Sequence, residues 1–356
     1  MTSRTKLRYR LLLAGSVLKA GCMLAVWPTF CAACPACLGP GVPKLTLVQR
    51  LIDSDQIVVA KATTQHPGTM TIETVIQGDL IAGTTIAIPR EELPVLNFEE
   101  SDSFLLGRQA LGRRWKLLGP VSGGCDAWLK RMAGLKRTSE LTDQDWVERV
   151  RLFLPDLEHP DPLVSSTAFG EIARAPYAAM RANREWMDQE RLLAAWRSDD
   201  LPIERRPLYA LLLGICGNDH VDRIIDEQLS MLHRNHDSQG LAAWLVAKLE
   251  RAGTAGLAAI QRHYLADLHR SEEERLAAFL ALSIQGNGNP EQFREPVVAI
   301  YRDAIESGSV NILMVSDLAA WSRWEFRSPM RNLIQRSDLA IPLRKAIQSY
   351  LLASGE

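Results

Sequence analysis

Four residues near the start of the chain, Cys34-Pro35-Ala36-Cys37, have the spacing of a thiol redox motif. Two cysteines separated by two residues can cycle between dithiol and disulfide when a helix N-terminus lowers the pKa of the first thiol. Such motifs normally follow a strand and open a helix. This one precedes Gly39-Pro40-Gly41, a cluster that breaks regular structure. We therefore favour structural cysteines and keep thiol redox activity as an alternative function.

The cysteine count predicts one disulfide. The six cysteines are Cys22, Cys31, Cys34, Cys37, Cys125 and Cys216. Cleavage of a leader near Ala33 would remove the first two. Cys216 belongs to an apolar helical run and is expected to be a small buried side chain. In an oxidising compartment the remaining three suggest one bridge and one spare thiol, so Cys125 is predicted to pair with Cys34 or Cys37.

Histidine spacing gives a weaker signal. His233 and His236 lie three residues apart, with His220 upstream, and could ligate a metal if the segment folded suitably. Histidines at a helix end are more often solvated, which is the reading we favour. His263 and His269 are six residues apart and are not expected to share a helical face. We predict no catalytic, cofactor-binding or metal-binding residue.

Other catalytic patterns point the same way. The sequence has no Gly-x-Ser-x-Gly elbow and no glycine loop followed by Lys-Ser/Thr. Ser122-Gly123-Gly124-Cys125 could present a nucleophilic cysteine, but no histidine partner is evident. Gly286-Asn287-Gly288-Asn289 follows a helical pattern and precedes Pro290, so it is predicted to be a turn. The sequence therefore favours a chain that is not an enzyme.

Composition excludes one class of partner. The 356 residues carry a formal net charge of −1, with 47% hydrophobic and 6% aromatic residues. A folded chain with no global positive field and few aromatic platforms does not match a nucleic-acid binder. No nucleic-acid partner is predicted.

The N-terminus has the pattern of a secretory signal. Arg4, Lys6, Arg8 and Arg10 precede an apolar stretch over residues 11–30. This order predicts a signal peptide over residues 1–33 and export to the periplasm or cell envelope. Lys19 interrupts the apolar run, so lipidation at Cys22 and retention of residues 11–30 as a membrane anchor stay open. Membrane contact is expected only through this segment, if it is not cleaved.

Residues 34–135 predict a small β module. A short helix over Leu45–Asp53 precedes five strand-like runs, which glycine-containing turns punctuate. Apolar and polar residues alternate in the run Met70–Gln77. The runs are Gln56–Thr63, Met70–Gln77, Thr84–Pro89, Ser103–Gln109 and Arg114–Leu118. Five short strands without long intervening helices indicate a five-stranded barrel of OB type.

Helical patterns follow. Residues 136–160 are predicted to form a helix, which Thr142 caps, and a linker. Over residues 161–356, similar Ala/Leu-rich runs recur about every 35 residues, a period found in two-helix solenoid units. The clearest copies are Pro207–Gly214, Gly240–Ala247 and Arg275–Leu282. The predicted fold class is α+β multidomain, with a β-barrel followed by an α-helical HEAT-like solenoid.

Two family resemblances fit this division. The segments Cys34–Cys37, Ser54–Lys61 and Ser103–Leu106 make residues 34–135 similar to the netrin-like module, also found in tissue inhibitors of metalloproteinases. That resemblance implies the OB-like fold, and it adds protease inhibition as an alternative function. Leu157–Leu163, Tyr209–Asn218 and Ile341–Leu352 resemble segments of an uncharacterised family of exported bacterial proteins, which implies export and two-part architecture.

The predicted function is a non-enzymatic protein-interaction scaffold of the cell envelope. A helical array beside a small β module, without a catalytic constellation, is typical of proteins that bind other proteins. The expected partner is another envelope protein.

Overall fold

A computed structural model describes residues 45–62, 68–89, 103–109, 113–267 and 269–355. The predicted signal peptide, with the possible anchor over residues 11–30, lies outside the described residues, as do Cys34 and Cys37. The described part is α+β, with an antiparallel sheet followed by helices. The predicted order of a β module before a helical array is therefore confirmed, while the boundaries at residues 135 and 161 stay predictions.

Five antiparallel strands form one sheet in the order β3-β2-β1-β4-β5. They are β1 (Gln56–Ala62), β2 (Thr69–Gln77), β3 (Thr85–Ala87), β4 (Ser103–Arg108) and β5 (Lys116–Val121). The prediction of five short strands is confirmed. The sheet is open over the described residues, because β3 and β5 are its two edges. Closing it into a barrel would require those edges to pair.

The two faces of the sheet enter different cores. Alternate residues of a strand point to opposite sides. Ile57 and Val59 on β1 join the large core that the sheet shares with the helices. Val58 and Ala60 point the other way, into a smaller cluster that includes Trp115. Both faces of β1 are therefore buried, which explains its nearly continuous apolar sequence.

Fifteen α-helices occur in the described residues. Those around the sheet and before the repeats are α1 (Leu47–Ile52), α2 (Asp126–Ala133), α3 (Asp143–Phe153), α4 (Pro162–Ala173), α5 (Tyr177–Arg181) and α6 (Gln189–Arg197). Those of the repeat region are α7 (Arg206–Cys216), α8 (Asp219–Asn235), α9 (Leu241–Ala252), α10 (Ala255–Ile260), α11 (Glu272–Gly288), α12 (Pro290–Glu306), α13 (Ile312–Ala320), α14 (Arg327–Ile334) and α15 (Ile341–Ala353). A π-helix over Gln261–Leu265 extends α10. None of the helices in the described residues has the length and apolar character needed to cross a bilayer.

Local capping explains where the predicted helix α3 begins. The Thr142 hydroxyl accepts a hydrogen bond from the Asp145 backbone N–H at 3.2 Å, and the Asp145 carboxylate accepts one from the Thr142 N–H at 2.9 Å. This reciprocal arrangement satisfies two N–H groups that a helix start leaves free. The helix start predicted at Thr142 is confirmed.

The sheet and the helices share one hydrophobic core. It runs from Leu47 in α1 and Ile57 in β1 through the helices as far as Tyr350. A buried ion pair crosses from α3 to α4, with the Arg149 Nε 2.7 Å from a Glu171 carboxylate oxygen. Because this packing is continuous, α3 and α4 connect the sheet to the helices that follow.

In the repeat region, α7, α9, α11, α13 and α15 contact one another in succession. A close approach joins Gly214 of α7 to Ala247 of α9, which occupy matching places in the sequence copies Pro207–Gly214 and Gly240–Ala247. A Cβ added at Gly214 would lie 2.6 Å from both the Cα and the Cβ of Ala247. Glycine is therefore needed here for two helix backbones to approach.

Gly214→Ala is expected to lower the free energy of unfolding by about 1–3 kcal/mol, the usual cost of overpacking. The better helix propensity of alanine, about 1 kcal/mol, offsets only part of that loss. Urea unfolding measures the difference. Gly170→Ala is the matched control, since its added Cβ would meet Thr46 at an ordinary 3.4 Å. Equal stability of the two variants would contradict the close approach.

The predicted turn at Gly286-Asn287-Gly288-Asn289 is wrong. Helix α11 continues through Gly288. Both glycines serve tertiary packing, since an added Cβ at Gly286 would lie 2.6 Å from the Trp321 ring and one at Gly288 2.7 Å from the Tyr177 ring. The glycines let aromatic rings lie against the helix backbone, so they do not end it.

Candidate functional site

A groove of about 1340 Å³ opens in the helical region. Its walls are the connection from α6 to α7, the C-terminal half of α8, the connection from α8 to α9, and the first turns of α9 and α11. We call it the acidic groove.

The floor of the acidic groove is apolar. Trp196 and Trp244 meet edge to face, with ring centroids 5.5 Å apart. Three large side chains on the walls remain open to solvent, with Ile203 59% exposed, Met231 40% and Leu276 47%. Isolated exposed apolar residues are common on protein surfaces, but several converging on one concavity indicate a binding surface.

The rim of the acidic groove is acidic. Five exposed carboxylates line it: Asp199, Asp200, Glu204, Asp237 and Glu273. Within the described part of the chain, none of the five forms an ion pair. Carboxylates left unpaired around an apolar floor would attract a positively charged ligand.

Arg206, the single basic side chain among the lining residues of the acidic groove, is hydrogen-bonded to the backbone. Arg206 donates to the backbone carbonyls of Trp196, at 3.5 Å, and of Ser198, at 3.2 Å. The Ser198 hydroxyl in turn accepts from the Asp200 N–H at 3.2 Å. These bonds fix the connection between α6 and α7, so Arg206 acts as a brace for the wall.

The wall of the groove that α8 and α11 form is stabilised by five residues around Arg270. We call them the arginine cluster: His233, His236, Asp267, Arg270 and Glu274. Arg270 Nη1 donates to the His233 carbonyl at 2.9 Å and to Glu274 Oε1 at 2.8 Å. Its Nε lies 3.2 Å from an Asp267 carboxylate oxygen. The cluster thereby joins the end of α8 to the start of α11.

His233 must be neutral in this arrangement. Its Nε2 lies 2.7 Å from Arg270 Nη2, and because a guanidinium can only donate, Nε2 has to be the unprotonated acceptor. Burial, together with the nearby Arg270 and His263, holds the pKa of His233 below its ordinary 6.5. Tyr264 also contacts the His233 ring, at 5.8 Å between centroids.

Acidification is therefore expected to weaken the arginine cluster. With the folded pKa of His233 below 6.5, the unfolded chain binds more protons below that pH, so stability is retained above it and lost as the pH falls. Urea unfolding is measured at about pH 8 and about pH 5.5. Between these pH values the free energy of unfolding should fall more for the wild type than for His233→Gln. His269→Gln, at an exposed turn, is the control. If the free energy of unfolding of His233→Gln fell as much as that of the wild type between the two pH values, the lowered pKa of His233 would be contradicted.

The structure brings together histidines that the sequence kept apart. His233 and His263 meet edge to face, with centroids 5.6 Å apart, and His236 lies 3.5 Å from a Glu274 oxygen. His220 instead lies 2.9 Å from Arg197. No group of three or more His, Cys, Asp or Glu side chains within the described ranges is placed to hold a metal ion.

The described cysteines lie away from the groove. Cys125 is buried and forms no disulfide with another described residue, and its Sγ lies 3.7 Å from the Asp161 carboxylate. Burial and the Asp161 charge raise its pKa, so the reactive thiolate is disfavoured. Burial raises the pKa of Cys216 to about 11. Since Cys34 and Cys37 lie outside the described residues, the predicted pairing with Cys125 stays a prediction, as do the redox and inhibitor alternatives.

Two smaller concavities accompany the acidic groove. One of about 670 Å³ shares Leu276 with it and continues along α11 towards Asn311. Another, of about 630 Å³, lies at the β3 edge, where the Arg108 guanidinium stacks 4.7 Å over the Trp115 ring. Only the first continues the surface that the helical region presents.

Sequence reasoning did not find the acidic groove. Its residues come from four separate segments, and only the adjacent Asp199-Asp200 and the run at Glu273 stand out in the sequence. In the structure that run forms the first turn of α11, with Ser271 as the cap. Comparison with protein-family models, curated proteins and solved structures found no match to this chain.

Proposed function

We propose that this chain is a non-enzymatic scaffold of the cell envelope, whose helical region binds another protein through the acidic groove. The observation that carries the proposal is the convergence of exposed Ile203, Met231 and Leu276 within one concavity. Leaving that much apolar surface in water is unfavourable unless a partner covers it.

The proposal includes a HEAT-like arrangement of the helices. Contacts between successive inner helices join residues about one repeat apart. Gln285 donates to Glu250 at 3.3 Å, Ser283 donates to Asp317 at 3.0 Å, and Trp321 donates to Asn287 at 3.0 Å. Separations of 34 or 35 residues at these contacts support a stack in which each unit repeats the last.

It also includes an OB-like, netrin-like identity for the β module. The support is a single sheet in which β1 pairs with both β2 and β4, so that β3 and β5 are left as the edges that closure would join. Export, with the mature protein in the periplasm or envelope, is proposed from the basic and apolar leader. The partner is accordingly proposed to be an envelope protein.

Site-specific crosslinking in cells tests the function. A photoreactive residue placed at Met231, which is 40% exposed inside the groove, is expected to capture a defined partner. The control is the same residue at Leu352, which is 72% exposed and outside the groove. Adding Leu276→Ser should diminish the Met231 adduct. No adduct from Met231, or identical adducts from both positions, would overturn the proposal.

A further inference from the structure

We propose that the acidic groove binds a cationic amphipathic helix on the partner protein. This inference rests on the proposed function, because it names the chemistry of the segment that the scaffold would bind.

Size and wall structure point to a helical segment. The groove encloses about 1340 Å³, more than the roughly 300–1,000 Å³ of a small-molecule pocket. Its walls are helices and their connections and contain no strand, so the groove offers no sheet edge with which an extended peptide could pair. A helix that lays one apolar face into the groove is the recognition mode that fits such walls.

Charge selects a cationic helix. The five rim carboxylates have no ion-pair partner among the described residues, and Arg206 is bonded to the carbonyls of Trp196 and Ser198. The first turns of α7, α9 and α11 also line the groove, and each contributes about half a positive charge. These helix ends and Arg206 offset only part of the carboxylate charge, so the groove keeps a negative excess.

Apolar surface requires that helix to be amphipathic. Ile203, Met231 and Leu276 come from different walls and remain about half exposed. A partner helix with large apolar side chains on one face would cover them and present lysine or arginine to the rim. The same geometry disfavours a purely polar basic segment, which would leave the floor in contact with water.

The test is binding of a synthetic probe. A fluorescein-labelled Leu/Lys amphipathic helix of about 18 residues, long enough to be helical, is titrated with the purified protein and followed by fluorescence anisotropy. A Leu/Glu helix with the same apolar pattern is the charge-reversed probe. The Leu/Lys probe is expected to bind and the Leu/Glu probe is expected not to bind.

Matched variants separate the groove from bulk charge. The groove variant carries Asp199→Asn, Glu204→Gln, Asp237→Asn and Glu273→Gln. The control carries Glu185→Gln, Glu190→Gln, Glu291→Gln and Glu306→Gln, four exposed acids outside the groove, so both have the same net charge. The groove variant should bind the Leu/Lys probe about tenfold more weakly, and the control should bind it as the wild type does. Leu276→Ser should also weaken binding.

Several outcomes would overturn the inference: no binding of the Leu/Lys probe, equal loss in both charge variants, or tighter binding of the Leu/Glu probe. The inference would also be overturned if sedimentation showed a dimer that depends on Leu276, because the groove would then bind a second copy of the chain. If the Leu/Lys probe fails while Met231 still crosslinks to a partner with an acidic docking segment, the inference fails and the function stands. If the photoreactive residue at Met231 gives no adduct, the proposed function itself fails, whatever binding the two probes show.

Discussion

Arg270→Met is expected to lower the free energy of unfolding by about 3–5 kcal/mol, the cost of removing one partner of a buried ion pair. Glu274 is wholly buried, and its carboxylate accepts from Arg270 at 2.8 Å and from the Ser271 N–H at 2.9 Å. Burial alone would raise the pKa of Glu274, but these hydrogen bonds, with His236 nearby, hold it below its ordinary 4.5. Without Arg270 the charge would be left buried and only partly compensated.

Urea unfolding of three variants checks this first prediction. Arg336→Met is the control, because Arg336 pairs with Asp338 at 2.8 Å in an exposed position, where solvent screens the pair and its loss should change the free energy of unfolding little. The double variant with Arg270→Met and Glu274→Met should recover part of the loss, since it removes the charge as well as its partner. If Arg270→Met lowered the free energy of unfolding no more than Arg336→Met does, the arginine cluster would not stabilise the connection between α8 and α11.

Asp317→Ala is expected to lower the free energy of unfolding by about 2 kcal/mol or more, because it removes the acceptor of two buried hydroxyl donors, Tyr301 and Ser283, which cost about 1–3 kcal/mol each when unpaired. Asp317 accepts from Tyr301 at 2.7 Å, from Ser283 at 3.0 Å and from Asn287 at 3.0 Å. Asn287 also accepts from Trp321 at 3.0 Å. This network joins α11, α12 and α13, so its loss should loosen the stack beyond the acidic groove.

Asp317→Asn separates the charge of this residue from its shape. Burial raises the pKa of Asp317, and the hydrogen bonds it accepts reverse only part of that rise. A raised folded pKa means that the stability contribution is complete at low pH and is lost as the pH rises through it. Asp317→Asn should therefore cost less than Asp317→Ala, and its deficit against the wild type should shrink as the pH rises. A deficit that grows with pH in urea unfolding would contradict the raised pKa.

Local patterns in the sequence predicted the elements well. Short apolar and β-branched runs between glycine-containing turns marked all five strands of the β module, although apolar and polar residues alternate clearly only in the run that forms β2. The repeat runs marked α7, α9 and α11, because apolar periodicity reports which helix face is buried. The turn predicted at Gly286 failed for a tertiary reason, since the contact of that glycine with Trp321 is invisible to local propensity.

The sites were harder to predict because they are assembled from distant residues. Arg270 contacts His233 across 37 positions in the chain, and Trp196 contacts Trp244 across 48. No spacing rule connects such residues. The sequence also ranked the cysteines highest, and of these the structure describes only Cys125 and Cys216, whose thiols are disfavoured from ionising. Exposure of Met231 and Leu276 was the decisive signal, and only a folded structure supplies it.

Hydrogen–deuterium exchange tests the central claim, that the acidic groove is the binding surface, most directly. The purified protein is measured alone and with a partner obtained by affinity capture on the unmodified chain. Protection is predicted in residues 196–207, 231–244 and 273–280, which form the walls of the groove. Protection confined to the β module, with these three segments exchanging as they do in the free protein, would contradict it.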